Sequence, residues 1–304
     1  MPFELRILGS CSATPAWGRH LSSQILEAGN QLFLIDCGEG TQFQLLNYKV
    51  KLRRIAHVFI SHLHGDHYLG LTGLLSTMSL QGRKDDLHIH APKGLDEILT
   101  SHFRYSETFL SYKIIFHIVD PLTSGQVYED ELIEVINIPL KHRVSCCGYL
   151  FREKPKKHKL KVEALPGGLP YEKFISLKLG EDIEHNGRFY ANEELTYGPR
   201  KSCSYAYCSD TIYLERIIPI IEGVDLLYHE STFTEEFSER ATYTGHSTAK
   251  QAATIADKAN VGQLLLGHFS TRFKDLTPLL VEAQEVFDNS HLAIEGKIFE
   301  VLAE

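Results

Sequence analysis

His62-Leu63-His64-Gly65-Asp66-His67, entered from Ile55-Ala56-His57-Val58-Phe59-Ile60-Ser61 and left through Tyr68-Leu69-Gly70-Leu71, is the stretch on which the reading of this chain turns. The approach is an apolar run rich in β-branched and aromatic residues, which predicts a buried strand. The four polar side chains therefore fall on the turn at its end, where α/β proteins place their chemistry. His62 and His64, two residues apart in an extended segment, point to one side. Gly65 permits a turn that sends Asp66 and His67 toward a second point nearby. Two imidazoles converging on one point, with a carboxylate and an imidazole on another, suit two divalent cations about 3.5 to 4 Å apart, zinc best of all. A polar loop without metal is the plain alternative, but so many ligand-type side chains at the end of an apolar strand are costly to collect without a cation to bind.

Working outward, 304 residues at 43% hydrophobic and 23% charged are enough to bury a full core, and large α/β folds of this length often form one unit. The start, Met1-Pro2-Phe3-Glu4-Leu5-Arg6, has no basic segment followed by an apolar one, and no run approaches the roughly 18 apolar residues of a membrane span, so a soluble, cytoplasmic protein is expected. Six cysteines without a C-x-x-C, two of them adjacent at Cys146 and Cys147, predict buried thiols rather than a disulfide framework. A net charge of −8 argues against a broadly basic nucleic-acid coat but leaves room for a local one. From Arg152 to Lys161 the sequence REKPKKHKLK sets Arg152, Lys154, Lys156, Lys157, Lys159 and Lys161 against the single acid Glu153. If RNA is the partner, its phosphates meet the protein there.

Along the chain, Phe3 to Leu8 reads as a strand ending in the small-residue loop Gly9-Ser10-Cys11-Ser12-Ala13-Thr14-Pro15. Ser22 to Glu27 and Gln31 to Ile35 read as a hairpin, and Asp36-Cys37-Gly38-Glu39-Gly40-Thr41-Gln42 turns into a helix. Asp36 either supports the metal loop from behind or caps that helix. Gly70 to Leu80 predicts a helix, and Leu87 to His90, Ile114 to Val119 and Leu132 to Ile138 predict strands. His88 and His90 share the i, i+2 spacing of the metal run, but no acid or third histidine follows closely, and they read as structural. From Arg152 to about Asp182 the periodicity breaks around Pro155, Pro166-Gly167-Gly168 and Pro170, which suits an excursion from the core. Strands return at Ser204 to Ser209 and at Gln263 to Leu266. Between them Thr244-Gly245-His246-Ser247-Thr248-Ala249 opens a helix that runs to Ala259, with Ser247 or Thr248 as its cap.

The run H-x-H-x-D-H resembles the signature of the metallo-β-lactamase superfamily. Further segments along the chain narrow the resemblance to ribonuclease Z, the tRNA 3′-processing endonuclease. They are the early loops L-G-S-x-S-A-T-P, L-S-S-Q and D-C-G-E-G-T-Q, then P-L-x-H at His142, Y-C-S-D-T at Asp210, L-x-x-H-E-S-T-F after Leu226, G-H-S-T-A at His246 and H-F-S-T-R-F at His268, with L-P-G-G-L-P-Y in the excursion. The family's R-P-G-R piece is replaced here by Lys154-Pro155-Lys156-Lys157-His158-Lys159, which keeps the charge and not the spacing.

The resemblance implies a four-layer αββα sandwich, the metallo-β-lactamase fold, as a single domain over residues 1–304 with a protruding, flexible tRNA-binding arm inserted at about 152–182. It implies two Zn2+ per subunit: His62, His64 and His142 on one, Asp66, His67 and His268 on the other, and Asp210 bridging them. In that scheme Asp66 is the proton acceptor, and His246 stabilises phosphate charge or donates a proton. The expected enzyme is a cytoplasmic homodimer that removes the 3′ trailer from precursor tRNA, leaving a 3′-hydroxyl on the tRNA and a 5′-phosphate on the trailer. The rival readings are a glyoxalase II-like hydrolase of a small ester or phosphodiester, which leaves the basic excursion unexplained; a flavodiiron-type protein, which would favour a carboxylate in place of His64; and a non-catalytic RNA-binding module, which needs no complete ligand set.

Overall fold

Alternation along the first strand shows how the sequence builds the molecule. In β1 (Phe3–Gly9) Phe3, Leu5 and Ile7 are buried while Glu4 and Arg6 face outward, the period-two pattern of a strand with one core face. The computed structural model describes residues 3–301, so the two ends of the domain expected over 1–304 lie outside the described residues.

The chain continues through β2 (Ser23–Ala28), β3 (Gln31–Cys37), β4 (Ile55–Phe59), β5 (Leu87–Ala91), β6 (Ile114–Ile118), β7 (Gly125–Glu129), β8 (Ile133–Pro139) and β9 (Cys147–Glu153). A smaller unit then carries β10 (Lys159–Leu160), β11 (Ile183–His185), β12 (Arg188–Tyr190) and β13 (Thr196–Tyr197), after which come β14 (Ser204–Cys208), β15 (Leu226–Glu230), β16 (Gln263–Gly267), β17 (Ser290–Leu292) and β18 (Ile298–Glu300). Two seven-stranded sheets result, ordered β18-β1-β2-β3-β4-β5-β6 and β17-β16-β15-β14-β9-β8-β7. In the first, β3 to β6 run parallel, and in the second β14 to β17 do. Parallel strands end their chains on one side of a sheet, which is where such folds gather function.

The outer face of the first sheet packs on helices Thr41–Asn47, Leu71–Leu80 and Leu95–Tyr105 through Leu45, Leu74, Leu75, Met78 and Leu99. That of the second packs on Ala249–Lys258 and Thr277–Gln284 through Ala252, Ala253, Ala256, Leu279 and Ala283. Between the sheets lie aromatic rings from both, with Phe33 and Phe59 centred 5.6 Å and 5.2 Å from Phe151. Helix, sheet, sheet and helix make the αββα sandwich. The six thiols are free and buried, and among the described residues no helix is long and apolar enough to cross a membrane.

Residues 153–202 form a compact unit of their own. The irregular excursion expected to close near Asp182 instead runs on to Ser202 and is folded: it contains the helix Tyr171–Lys178, the hairpin β11–β12, the pair β10–β13 and a small core of Leu177, Ile183 and Leu195. Its apolar residues are too sparse and too widely spaced for a periodicity to show. The hairpin strand β7 likewise escaped the sequence, because Gly125-Gln126-Val127-Tyr128-Glu129 is half exposed and lacks a clean alternation.

Candidate metal centre

The seven residues expected to hold metal meet at the strand ends. His62, His64, Asp66 and His67 follow β4, His142 follows β8, Asp210 follows β14 and His268 follows β16. The turn of the metal run presses on the loop after β3, where a Cβ at Gly38 would lie 2.5 Å from the Asp66 carbonyl oxygen and one at Gly70 2.2 Å from that of Gly38. Only glycine allows this approach. Asp36, inside β3 at a register shift against β2, and Asp210 and His268, just past β14 and β16, have left-handed backbones, with φ of 54°, 46° and 57°.

Asp210 divides its two oxygens between two histidine sets. Oδ1 lies 3.0 Å from His268 Nε2 and 3.3 Å from His67 Nε2, while Oδ2 lies 3.5 Å from His62 Nε2 and 3.7 Å from His142 Nε2. Ligand atoms of His62, His64, His142 and Asp210 all fall within 4.8 Å of one another, as do those of Asp66, His67 and His268, and those of Asp210, His246 and His268. Nε2 of His67, His142 and His268 is buried and without a hydrogen-bond partner among the described residues, a state that buried nitrogens do not tolerate cheaply. Their other ring nitrogens are tethered: His67 Nδ1 donates to Asp36 Oδ2 at 2.7 Å, His142 Nδ1 to the Gly245 carbonyl at 2.7 Å and His268 Nδ1 to Thr232 Oγ1 at 2.9 Å. Imidazoles fixed at one nitrogen with the other left open are oriented as metal ligands are. The residues therefore fit divalent cations that accept nitrogen and oxygen donors.

The electrostatics agree. Burial opposes charge on Asp210, yet the imidazoles of His268, His67 and His62 hold its carboxyl well below the usual range. Burial likewise opposes charge on His67, but the carboxylates of Asp210, Asp36 and Asp66 raise it well above the ordinary value, so this pocket attracts positive charge. His62 and His142, where burial prevails, are pushed down instead.

Asp36 does not cap the helix Thr41–Asn47, whose N-cap is Gly40. It supports the metal run. The helix opening at Ala249 is capped by Thr248 in a capping box with Gln251. His246 lies beside the cluster, its ring 4.9 Å from that of His142 and 5.2 Å from that of His268. Its Nδ1 donates to Glu230 Oε1 at 2.8 Å. Burial lowers its basicity, but the Glu230 carboxylate outweighs burial and raises it to about 9. Sequence reasoning passed over Glu230, which also accepts from Thr211 N at 2.8 Å and Thr232 Oγ1 at 2.6 Å. The signal was an acid at the end of an apolar strand, in Leu226-Leu227-Tyr228-His229-Glu230. A cleft of about 400 Å³ opens over the cluster, walled by the Ser12–Pro15 loop, Glu39 and Arg143.

His88 and His90 lie in a separate group with His57 and His117. The basic run divides. Arg152 sits on β9 and pairs with Glu134 at 3.5 Å, Lys156 pairs with Glu153 at 2.6 Å and Lys161 donates to the Glu193 carbonyl at 2.6 Å. Lys157 and Lys159 are exposed.

Two stacked mixed sheets with a histidine–aspartate cluster at the strand ends define a metal-dependent hydrolase of the metallo-β-lactamase fold. The family profile described as anti-Pycsar protein Apyc1 matches residues 3–154. The ribonuclease Z of Cytophaga hutchinsonii is 49% identical over 303 residues, 99% of this chain and 97% of that protein, and the ribonuclease Z of Bacteroides fragilis is 46% identical over 97% of each. Among solved structures, the short form of human tRNase Z is 25% identical with a TM-score of 0.71, over 98% of this chain and 99% of that one. A metallo-β-lactamase fold protein of Bacillus subtilis shares the fold with a TM-score of 0.69 at 22% identity, over 99% of this chain and all of that one. The chain belongs to the ribonuclease Z family, with an N-terminal half that also fits the Apyc1 profile, and is an endoribonuclease that uses divalent metal.

Proposed function

We propose that this endoribonuclease matures the 3′ end of tRNA as a two-zinc enzyme, removing the trailer to leave a 3′-hydroxyl on the tRNA and a 5′-phosphate on the trailer. His62, His64 and His142 would hold one ion, Asp66, His67 and His268 the other, with Asp210 shared. The observation that carries this reading is the division of the two Asp210 oxygens between two sets of histidines, three of which, His67, His142 and His268, have buried Nε2 atoms without a hydrogen-bond partner among the described residues. Bound divalent cations supply Lewis acidity to the phosphoryl oxygens and to water.

The protein's own groups do the rest. Ala13 N–H donates to Asp66 Oδ2 at 2.8 Å, which fixes the carboxylate. Oδ1 makes no hydrogen bond among the described residues and is the oxygen that takes the proton of the attacking water. His246, held at Nδ1 by Glu230, presents Nε2 to the cleft, where it stabilises phosphate charge or protonates the leaving oxygen. Arg143 on the cleft wall adds a fixed positive charge.

Residues 153–202 contact the tRNA backbone through the exposed Lys157 and Lys159, and the same unit exposes the aromatic rings of Tyr171 and Phe189, side-chain types that RNA backbones and unstacked bases favour. A second copy of the chain covers Phe43 and Leu46, 62% and 48% exposed, and Leu69, 53% exposed. Phe43 and Leu46 lie on the helix Thr41–Asn47 and Leu69 shortly before the helix Leu71–Leu80 that packs against it, and exposed apolar side chains of this size suit an interface. The six free thiols accord with work in the cytoplasm.

The test is to incubate the protein and zinc with a 3′-extended tRNA and map both product ends. Hydrolysis of small esters without cleavage of the precursor would favour the glyoxalase II-like alternative. In the same assay Lys157→Glu with Lys159→Glu should raise KM and flatten the salt dependence of binding by about one unit for each phosphate that is no longer neutralised, while hydrolysis of bis-nitrophenyl phosphate stays unchanged. Light scattering should report a dimer that Phe43→Asp converts to monomer.

A further inference from the structure

The candidate ligands come from two sheets: His62, His64, Asp66 and His67 from the first, and His142, Asp210 and His268 from the second. Behind them lies one wholly buried carboxylate that both sheets touch. Asp36 Oδ1 accepts from Ser61 N at 2.8 Å. Its Oδ2 accepts from Ser61 Oγ at 2.9 Å, His67 Nδ1 at 2.7 Å and the Tyr207 hydroxyl at 2.6 Å. Ser61 and His67 belong to the first sheet's metal loop. Tyr207 is on β14 of the second, in the segment Tyr207-Cys208-Ser209-Asp210 that delivers the shared carboxylate. It is fully buried, and its ring stacks on Tyr228 with centroids 5.0 Å apart, so the hydroxyl has little freedom to point elsewhere.

We propose that Tyr207 is a positioning residue for the metal site: by sharing Asp36 Oδ2 with His67 Nδ1, its hydroxyl sets the His67 ring of one sheet against Asp210 and His268 of the other. Three donors on one carboxylate oxygen leave it no spare acceptor direction, so each donor restricts the other two. Loss of the hydroxyl frees Asp36 to rotate, and His67 with it. The inference rests on the two-cation reading of the site, and it concerns the ion held by Asp66, His67 and His268.

The same strand supplies a control. Tyr205 is equally buried, and its hydroxyl also reaches across to the first sheet, but it donates to Gln24 Oε1, which touches no candidate ligand. Zinc affinities of the wild type, Tyr207→Phe and Tyr205→Phe would be measured by chelator competition, one equivalent at a time. Tyr207→Phe should lose about 10- to 100-fold in affinity for one of the two ions, the range seen when a group behind a ligand is removed, and Tyr205→Phe should lose none. Equal affinities in all three proteins, or equal losses in both variants, would overturn the proposal. A readout that needs no metal separates this from failure of the two-cation reading: nitrogen NMR of the metal-free protein. The His67 Nδ1–H signal should be protected in the wild type and in Tyr205→Phe, and exchange-broadened in Tyr207→Phe. An unaltered signal there would overturn the proposal even if the wild type bound no ion at all. Should Tyr207→Phe not fold, the wild type still decides, because a slowly exchanging Tyr207 hydroxyl proton close to the His67 Nδ1 proton is required, and its absence refutes the arrangement.

Discussion

Two histidine clusters that each contain an i, i+2 pair, His62/His64 and His88/His90, differ in what surrounds their rings. In the first, His62 Nε2 meets His64 Nδ1 at 3.0 Å, but the rings surround carboxylates, and Nε2 of His67, His142 and His268 is left open among the described residues. In the second, imidazoles bond to one another: His57 Nδ1 meets His90 Nε2 at 3.2 Å and His88 Nδ1 meets His117 Nε2 at 2.9 Å. The rings stack, His90 lying 4.3 Å from Phe59 and 4.4 Å from His117 with planes within 9° of parallel. No carboxylate hydrogen-bonds to these four rings among the described residues. Burial and mutual repulsion push His57 down to about 4 and His90 to about 2, so they stay neutral and serve as aromatic core. Spacing alone therefore does not make a cation site. Carboxylates between the rings, with Nδ1 of His67, His142 and His268 tethered, distinguish the first cluster.

The sharpest way to break this contrast is to remove the anion. Asp210→Ala should lose both ions and slow tRNA cleavage by more than about 10⁴-fold, beyond the usual reach of a lost acid–base group; metal content by mass spectrometry and single-turnover rates would show it. Asp66→Ala should lose one ion and about 10³-fold in rate. Either variant retaining two ions and the wild-type rate would sink the assignment. His246→Ala should keep both ions and its RNA affinity while slowing the chemical step about 10²-fold, and loss of metal here would make His246 a ligand.

The second cluster predicts an acid dependence. Burial holds His57, His90 and His117 below the unfolded value of about 6.5, so the unfolded chain binds more protons at low pH. The stability its neutral rings provide is complete above about 6.5 and is lost as pH falls toward 4, by about 3 kcal/mol for His57. Asp130, whose charge favours protonation of His57, tempers this. Urea unfolding of His57→Phe against the wild type across that window should give a difference that grows with acidity, and a flat difference would contradict it. Smallest of all, His88→Gln with His117→Gln should leave metal content and cleavage rate within about twofold, since surface-near substitutions away from a site act weakly.

The metal run could be picked out from its own residues, because its polar side chains sit together after an apolar strand. Asp210 and His268 were singled out only through the family resemblance, and the fold brings them beside the run. Asp36 was visible as a carboxylate at a strand end, and only its hydrogen bond to His67 could tell support from capping. The roles of Glu230 and Tyr207 were not legible although both lie in segments that carry the family resemblance, because their partners His246 and Asp36 are brought to them only by the fold. The extent of the smaller unit was hidden too, because Leu177, Ile183 and Leu195 form its core without any regular period.

The origin of the ligands in both sheets also bears on how the protein comes to be. The metal run belongs to the half of the chain synthesised first, and Asp210 and His268 to the half synthesised last, so the contacts that unite them are among the most non-local in the molecule. Such contacts close late in folding, and N-terminal segments emerge before their partners exist. The ion that needs His268, and the shared Asp210, therefore acts on a sandwich already assembled, and zinc should slow unfolding more than it speeds refolding.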